Sequence, residues 1–472
     1  MVFSSNVFLL LFLPLFLICY FTCPKNWRNP VLLLFSVVFY AFGAPTFVLL
    51  LLTSVIINYY LVKWMYSSEN QLYRKALSGL AILLSLSLLL YFKYANFFVD
   101  NLNTLLNFLG LKTFAFTKVL LPIGISFFTF QSITYVVDVY RDDNPPMDRL
   151  TDYMLYILMF PQLIAGPIVR YRDIAGEIRH RERNWPEILQ GFYRFVIGLS
   201  KKVLIADIIG IQVDKLLIGD LSIMGTGTAW VTILAYTMQL YFDFSGYSDM
   251  AIGLGKMMGF HFPENFDNPY NSSSVSEFWR RWHITLGTFM RNYLYIPLGG
   301  NRCSKPRMYF NLWVVFLLSG FWHGASWNYV VWGAYHGFWL VMERIGLGKV
   351  YEKIGKIPAV FITFIIVTVG WAIFRIENLS DAATFISRLF AFDFRSFAPI
   401  NNAHFYTMLV LALSFAFLTL LPVGKKLQDT VFYTELSKKQ HLVAWSTSIV
   451  LFLFCLGALN ATGFSPFIYF RF

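Results

Sequence analysis

Charged residues are scarce in this sequence. They make up 14% of the 472 residues, while 57% of the residues are hydrophobic and 19% are aromatic. A soluble protein of this length carries about 25% charged residues, so the composition argues against a soluble globular fold. Polar stretches long enough to hold a core of their own are also missing. Because apolar runs near the ~20 residues that cross a bilayer recur along the chain, the sequence predicts an all-α polytopic membrane protein.

Signals for cleavage, metal binding and internal duplication are missing as well. The first apolar run, "NVFLLLFLPLFLICYFTC", has no basic stretch before it and no small-residue cleavage site after it, so we expect a membrane span and not a cleaved signal. The four cysteines (Cys19, Cys23, Cys303 and Cys455) lack metal-ligand or redox spacing, and we expect no metal site. No internal repeat of the transporter kind is visible.

The charge that is present is mostly positive, with a formal net charge of +12. The basic residues occupy short loops between apolar runs, as the positive-inside rule requires, so no nucleic-acid partner is expected. Lys25 and Arg28 follow the first span, and the loop 425–439, with four lysines, precedes the last. Both termini are therefore predicted to lie on the extracytoplasmic side.

The middle of the chain differs from the rest. Predicted apolar spans lie at about 5–22, 30–44, 45–65, 76–96, 115–140, 150–169, 188–220 (interrupted), 226–260, 307–343 (two short segments), 357–375, 403–422 and 442–461. Between about Arg141 and Arg307 the apolar stretches are short and mixed with charge, which is typical of interfacial, re-entrant or cavity-lining helices. Helix-breaking Pro122 and Gly124 precede this region. We expect a functional cavity here.

Histidines in apolar surroundings are the first candidates for chemistry. His323 lies in "LLSGFWHGASWN", where an ionisable group is costly and tends to line a functional cavity. An imidazole is the usual general base for acyl transfer, although a histidine that hydrogen-bonds two helices would also fit. Gly320 and Gly324 on either side favour a close-packed or irregular site. His336, in "WGAYHGFW", is the weaker candidate, since a structural histidine is as good an interpretation.

His283 follows two arginines in "SEFWRRWHITL". One interpretation is a short amphipathic helix in the membrane interface, which begins with a capping box of Ser274 and Glu277. The other is that Arg280 and Arg281 contact phosphates while His283 points into the cavity, because the guanidinium fork suits phosphate. The sequence alone leaves both open.

Two carboxylates, Asp243 and Asp249, lie inside the apolar stretch "YFDFSGYSDMAIGLG". Buried carboxylates need partners, and a nearby arginine or polar backbone is the favoured interpretation. A proton or ion pathway is the alternative, and it would indicate a transporter.

Five motifs in fixed order, "YFDFSGYSDMAIGLG", "PENFDNPY", "FWRRWHITL", "YIPLGGNR" and "GFWHGASWNYVVWGAYHG", closely resemble the membrane-bound O-acyltransferase family in its bacterial, alginate O-acetyltransferase-like branch. The resemblance covers most of the chain. It implies a ring of tilted transmembrane and re-entrant helices around a central tunnel, in the bacterial cytoplasmic membrane. It divides the chain into N-terminal transmembrane helices (1–140), a catalytic core (141–345), C-terminal helices with a basic cytoplasmic loop (346–441), and a last span with its tail (442–472).

The resemblance also implies roles for residues. His323 and His283 match the two histidines regarded as essential, with His323 as general base. The substrate would be acetyl-CoA or another acyl thioester, with no bound cofactor. Further candidates for lining the tunnel or contacting the donor are Asp243, Ser245, Asp249, Arg280, Arg281, Trp322, Asn328 and His336.

The chain stops on "FSPFIYFRF", an aromatic tail beyond the last span. An aromatic belt at the membrane interface is the simplest interpretation. A related teichoic-acid D-alanylation system uses a small separate protein that ends in F-x-Y-x-x-F, where the tyrosine is thought to carry the acyl group. Phe467, Tyr469 and Phe472 match that spacing, which makes Tyr469 a candidate covalent acyl carrier.

Three functions stay open at this point. The resemblance favours acetyl transfer to an exported polysaccharide, together with a secreted or membrane-anchored partner similar to SGNH hydrolases. D-alanyl transfer from a carrier protein to teichoic acid is the alternative within the same chemistry. An ion-coupled transporter that uses Asp243, Asp249 and the histidines is the alternative of another class.

Overall fold

A computed structural model describes residues 2–394, 400, 402–462 and 467 of the chain. Within these residues the backbone is mainly helical and forms no β-strand, and an isolated antiparallel bridge pairs Phe266 with Trp282. This confirms the predicted all-α class; the ring around a tunnel stays a prediction. The chain divides into two compact units, one of Met1–Glu182 with Gly259–Pro263 and one of Arg183–Met258 with Glu264–Phe472.

The first unit contains the N-terminal helices. They are α1 (Leu13–Thr22), α2 (Arg28–Gly43), α3 (Val48–Ser67), α4 (Gln71–Leu89), α5 (Ala95–Phe108), α6 (Ile125–Tyr140), α7 (Leu150–Leu158), α8 (Phe160–Leu163) and α9 (Tyr171–Arg179). Helix α6 begins ten residues later than the predicted span 115–140. Gly124 stands before it with φ of 78°, and a Cβ there would lie 2.6 Å from the carbonyl oxygen of Leu163. With Pro122 two residues earlier, the chain enters α6 through a turn and not a longer helix.

The second unit contains the remaining helices. They are α10 (Trp185–Ser200), α11 (Asp207–Leu217), α12 (Thr226–Met258), α13 (Val275–Arg281), α14 (Ile284–Phe289), α15 (Lys305–His323), α16 (Trp327–Met342), α17 (Gly348–Ile354), α18 (Lys356–Arg375), α19 (Leu379–Leu389), α20 (Ala403–Phe417), α21 (Pro422–Phe432) and α22 (Lys438–Thr462). The capping prediction for α13 is confirmed, because the Ser274 hydroxyl accepts the Glu277 N–H at 3.0 Å.

Five helical stretches among the described residues are long and apolar enough to cross a bilayer. They are Pro45–Ser67, Gln71–Phe108, Lys356–Arg375, Ala403–Leu420 and Lys438–Ala461. Together with the short, charge-bearing helices of the middle region, they confirm a polytopic membrane protein. Which side of the membrane holds each terminus stays a prediction.

Helices α10 and α12 pack with almost no side chain between their backbones. A Cβ on Gly198 would lie 2.5 Å from the carbonyl oxygen of Gly246, and a Cβ on Gly253 would lie 2.5 Å from that of Gly191. No real Cβ is tolerated at such distances, so only glycine permits this approach. We call this contact, made by Gly191, Gly198, Gly246 and Gly253, the glycine seam.

The close packing at the glycine seam predicts that larger side chains there destabilise the protein. Gly198→Ala inserts a methyl group against the backbone of α12, so we expect the free energy of unfolding to fall by about 1–3 kcal/mol through overpacking. Gly457→Ala in α22 is the matched control, because nothing lies within 4 Å of a Cβ at that position. Thermal unfolding in detergent measures both variants. An unchanged midpoint for Gly198→Ala, equal to that of the control, would contradict the packing described for the seam.

Candidate active site

A cluster of buried charges lies beside the glycine seam. Arg194 on α10 donates from Nε to Asp249 on α12 at 3.0 Å and pairs with Glu264 through both of its terminal nitrogens. The Lys201 ammonium lies 2.6 Å from the other oxygen of Asp249. The side chains of Arg194 and Asp249 are only 11% and 9% exposed, so each charge needs its partner. The cluster ties α10, α12 and the segment after α12 together.

A second ion pair holds the other buried carboxylate of α12. Lys202 lies 2.9 Å from Asp243 and 2.5 Å from Asp207, and the side chains of Lys202 and Asp243 are each 3% exposed. Both candidate carboxylates are thus held by fixed cations. This arrangement agrees with the structural interpretation that the sequence favoured.

A cavity of about 470 Å³ adjoins the charge cluster. Its walls are mostly apolar side chains of α10, α12, α20 and α21. The polar residues that line it include Arg194, Lys201, Ser245, Ser248, Asp249 and Asn265. Helix α21 contributes Leu427 and Val431 to the wall and carries the exposed Lys425 and Lys426. A mostly apolar cavity with a few polar lining groups suits a slender, partly apolar ligand.

His283 lies at the junction of α13 and α14, in a left-handed backbone conformation with φ of 46°. Its imidazole is buried and its Nδ1 lies 3.0 Å from Oδ1 of Asn265, a residue that also lines the cavity. The ring makes a T-shaped contact with Phe244 of α12, with 4.7 Å between the centroids. A non-glycine residue in this conformation costs about 1–3 kcal/mol, so the surrounding contacts must hold the histidine in place.

His323 is the last residue of α15 and is buried among aromatic rings. Its ring centroid lies 5.1 Å from that of Trp332 and 5.4 Å from that of Phe374. The glycines on either side are required by packing, since a Cβ on Gly320 or Gly324 would lie 2.2 Å from an atom of Tyr329. The close-packed site that the two glycines favoured is therefore present.

Trp322 connects the two principal histidines. Its ring centroid lies 6.2 Å from that of His283 and 5.0 Å from that of His323. The structure thus brings both histidines against one indole, although 40 residues separate them in sequence. Trp332 lies between His323 and His336 in the same way, at 5.1 Å from each.

The sequence model of the membrane-bound O-acyltransferase family matches residues 141–348. The chain is 42% identical to "Probable alginate O-acetylase AlgI" of Pseudomonas putida, with all of both chains aligned, and 46% identical to the protein of that name from Pseudomonas aeruginosa, over 89% of this chain and 81% of the relative. It is 37% identical to the "Peptidoglycan O-acetyltransferase" of Helicobacter pylori, over 81% of this chain and 78% of the relative.

The chain belongs to the membrane-bound O-acyltransferase family. It is accordingly an O-acyltransferase of a multi-pass membrane fold, as the five motifs indicated. The segment matched by the family model, 141–348, nearly coincides with the predicted catalytic core, 141–345. Both principal histidines, the glycine seam and the charge cluster lie within it.

The remaining candidate residues of this O-acyltransferase lie in different surroundings from one another. Arg280 is exposed, and Arg281 forms an ion pair with Glu277 at 2.7 Å, so neither shares the enclosure of His283. Asn328 donates to the carbonyl oxygens of Ile373 and Phe374, which ties α16 to α18. His336 is fully buried, and neither of its ring nitrogens has a hydrogen-bond partner among the described residues.

The helix that carries the two arginines, α13, has one side packed against protein. Val275 and Phe278 of α13, and Trp282 directly after it, are each at most 3% exposed, so this side of the helix packs against its unit. Its position relative to the membrane interface stays a prediction.

The tail is described at one residue. Phe467 is fully buried, with its ring centroid 4.6 Å from that of Tyr247 and 5.9 Å from that of Phe244. Phe244 also contacts His283. Tyr469 and Phe472 lie outside the described residues.

Sequence reasoning missed Asn265 and Arg194. Asn265 was visible within "PENFDNPY" as part of a motif, but nothing in the sequence assigned it a partner. Arg194 occupies one position in a helix with few other charges, and that isolation was the available signal.

The ion pairs of the charge cluster indicate that Arg194 stabilises the folded protein. Arg194→Met leaves Glu264 without its cation and leaves Asp249 with Lys201 alone. We therefore expect the free energy of unfolding to fall by about 3 kcal/mol. This is the lower end of the range for a broken buried ion pair, because Lys201 remains. Arg280→Met removes an exposed charge and is expected to stay within about 0.5 kcal/mol of wild type. Denaturation of the purified protein in detergent compares the two. Equal stability of both variants would show that the charge cluster does not contribute to the stability of the fold.

Proposed function

We propose that this O-acyltransferase takes an acetyl group from acetyl-CoA on the cytoplasmic side of the bacterial cytoplasmic membrane and passes it outward for O-acetylation of an exported polysaccharide. The relatives named above are designated alginate or peptidoglycan O-acetylating proteins, and their identity over most of the chain is the observation that carries the proposal. A secreted or membrane-anchored partner similar to SGNH hydrolases completes the transfer to the sugar. The alternative of a D-alanyl group from a carrier protein has no observation of its own in the structure.

The cavity supports a thioester donor. Its lining includes side chains of α21, a helix with two exposed lysines that would meet the charged end of the coenzyme, and Asn265, which contacts His283. A volume of about 470 Å³ accommodates a slender pantetheine arm, and mostly apolar walls exclude the water that would hydrolyse the thioester.

The chemistry assigned to His323 is general base catalysis. The imidazole takes the proton of the acceptor hydroxyl while that oxygen bonds to the thioester carbonyl carbon. The C–S bond then breaks, and the proton passes from the imidazole to the departing sulfur, which leaves as a thiol. A base enclosed by Trp322, Trp332 and Phe374 acts away from bulk water.

Tyr469 is proposed as the first acceptor. A phenol, with a reference pKa of about 10, is deprotonated more easily than a sugar hydroxyl, and its ester remains activated for a second transfer. The contact of Phe467 with Phe244 supports this, because Phe244 also contacts His283.

An ion-coupled transporter is less well supported. Its ion pathway would need Asp243 and Asp249 to bind and release a cation, but these carboxylates are held by Lys202, Lys201 and Arg194. Fixed ammonium and guanidinium groups occupy the positions that a transported cation would take.

The assignment of His323 is tested with His323→Ala in purified protein supplied with acetyl-CoA. We expect the release or transfer of acetyl to fall by about 10²- to 10⁴-fold, the usual contribution of a general base. His404→Ala, an exposed histidine on α20, is the matched control and should retain the wild-type rate. A wild-type rate in His323→Ala would remove the assignment, and solute flux without acyl chemistry would favour the transporter.

The assignment of Tyr469 is tested by intact-mass analysis of the C-terminal peptide after incubation with labelled acetyl-CoA. We expect an added acetyl group on this peptide that hydroxylamine removes and that Tyr469→Phe prevents, because phenylalanine lacks the oxygen nucleophile. An unlabelled peptide under conditions in which polysaccharide is being acetylated would count against the relay.

A further inference from the structure

Asn265 is at the centre of four buried polar contacts. Its Oδ1 lies 2.8 Å from Oγ1 of Thr285, 3.4 Å from the Thr285 backbone nitrogen and 3.0 Å from Nδ1 of His283. Its Nδ2 lies 3.0 Å from Oγ of Ser248 on α12. All four residues are at most 3% exposed, so these contacts are sheltered from competing water.

The orientation of the Asn265 carboxamide follows from its neighbours. The backbone N–H of Thr285 can only donate, so the amide atom that faces it must be the oxygen and not the NH₂ group. The backbone reinforces this arrangement, because the Ile284 N–H donates to the carbonyl oxygen of Asn265 at 3.0 Å. The two stretches of chain are thereby held in register.

The same oxygen decides which nitrogen of His283 carries the proton. Oδ1 of a carboxamide only accepts hydrogen bonds, so Nδ1 of His283 must be the donor. A neutral imidazole has a single N–H, and Nε2 therefore keeps its lone pair. Burial lowers the pKa of the His283 imidazole to about 3, which keeps the ring neutral at physiological pH.

We propose that Asn265 is a positioning residue that fixes His283 in the Nδ1–H tautomer and makes Nε2 the atom with which His283 accepts a hydrogen bond from the reacting groups. The role in acyl transfer rests on the proposed function, whereas the tautomer itself does not. His283 then acts as a neutral acceptor that orients an O–H or S–H group, while His323 takes the proton. Asn265 also lines the cavity proposed for the thioester donor, so it contacts both that cavity and His283.

Other ionisable groups lie on the elements packed around His283. They include Tyr241, Asp243, Tyr247 and Asp249 on α12, Glu264 and Asp267 on the segment before α13, Glu277, Arg280 and Arg281 on α13, and His323 on α15. Asp249 and Glu264 are paired with Arg194, Asp243 with Lys202, and Glu277 with Arg281. The lowered pKa of His283 arises from burial.

The tautomer is measured directly by ¹⁵N NMR of the full chain, labelled at histidine and reconstituted in lipid nanodiscs. The His283 signals are assigned by their loss in His283→Gln. At pH 8 we expect a protonated Nδ1 and an unprotonated Nε2 in the wild type and in Asn265→Asp, which keeps an acceptor at this position. In Asn265→Leu, which has a similar volume and no acceptor, we expect a mixture of tautomers. A protonated Nε2 in the wild type would overturn the proposal.

Acetyl transfer gives the second measurement. We expect Asn265→Leu to lower the rate by about 10²-fold or more, as loss of the correct tautomer does in other histidine-dependent enzymes. Asn107→Leu, an exposed asparagine on α5, is the matched control and should keep the wild-type rate. Asn265→Asp should retain measurable activity but change its pH profile. A wild-type rate in Asn265→Leu would refute the positioning role.

The direction of the change in the pH profile of Asn265→Asp follows from the negative charge of the new carboxylate. A carboxylate beside Nδ1–H favours the imidazolium and raises the pKa of His283. Below the raised pKa, Nε2 is protonated and cannot accept, so the rate of Asn265→Asp should fall as the pH decreases from 8 towards 5. The wild type, with its low pKa, should show no such decrease from this group. Identical profiles for the two proteins would contradict the proposal even if Asn265→Leu does not fold.

The proposed function and the positioning role of Asn265 can be refuted independently of each other. If the tautomer is Nδ1–H and depends on Asn265, but no acyl chemistry is found, the proposed function fails and the tautomer assignment stands. If His323-dependent acetyl transfer is found with a protonated Nε2 on His283, the function stands and the positioning role of Asn265 fails.

Discussion

The backbone contact between α10 and α12 is the constraint on which the site depends. Four glycines allow the two helices to touch, and this brings Arg194 and Lys201 of one face against Asp249 of the other. Charges in apolar surroundings are tolerated only with partners at close range, so a wider separation would leave them uncompensated. Arg194 also holds Glu264, the residue before Asn265, and Asn265 holds His283. Packing of bare backbone thus controls the orientation of an imidazole several contacts away.

The two principal histidines are held by different means. His323 ends a helix between two glycines and is enclosed by rings, so its position is fixed by shape. His283 is fixed by polar contacts at a backbone conformation that is unfavourable by itself. Their meeting point is Trp322, an indole wide enough to contact both. All three side chains are buried, so these contacts are sheltered from water.

Much of this could be predicted from particular residues. Runs of apolar residues indicated the membrane helices, Ser274 and Glu277 marked the start of α13, and the five motifs indicated the family and the two histidines. Contacts between distant residues were not predictable in the same way. The pairing of Arg194 with Asp249 spans 55 positions, and neither residue has a local pattern that selects the other. Asn265 is an ordinary loop residue until Thr285 orients its amide. The exposure of Arg280 depends on which face of a short helix is covered, and seven residues give too little periodicity to decide that.

The charge cluster at the cavity also has an electrostatic consequence. Arg194 and Lys201 are matched by Asp249 and Glu264, so this wall is neutral as a whole and produces little field at a distance. An anionic ligand would be drawn towards the cavity by the exposed lysines of α21, whose attraction fades over a Debye length of about 8 Å at physiological ionic strength. Salt would therefore act on the approach of such a ligand and leave the chamber itself almost unaffected.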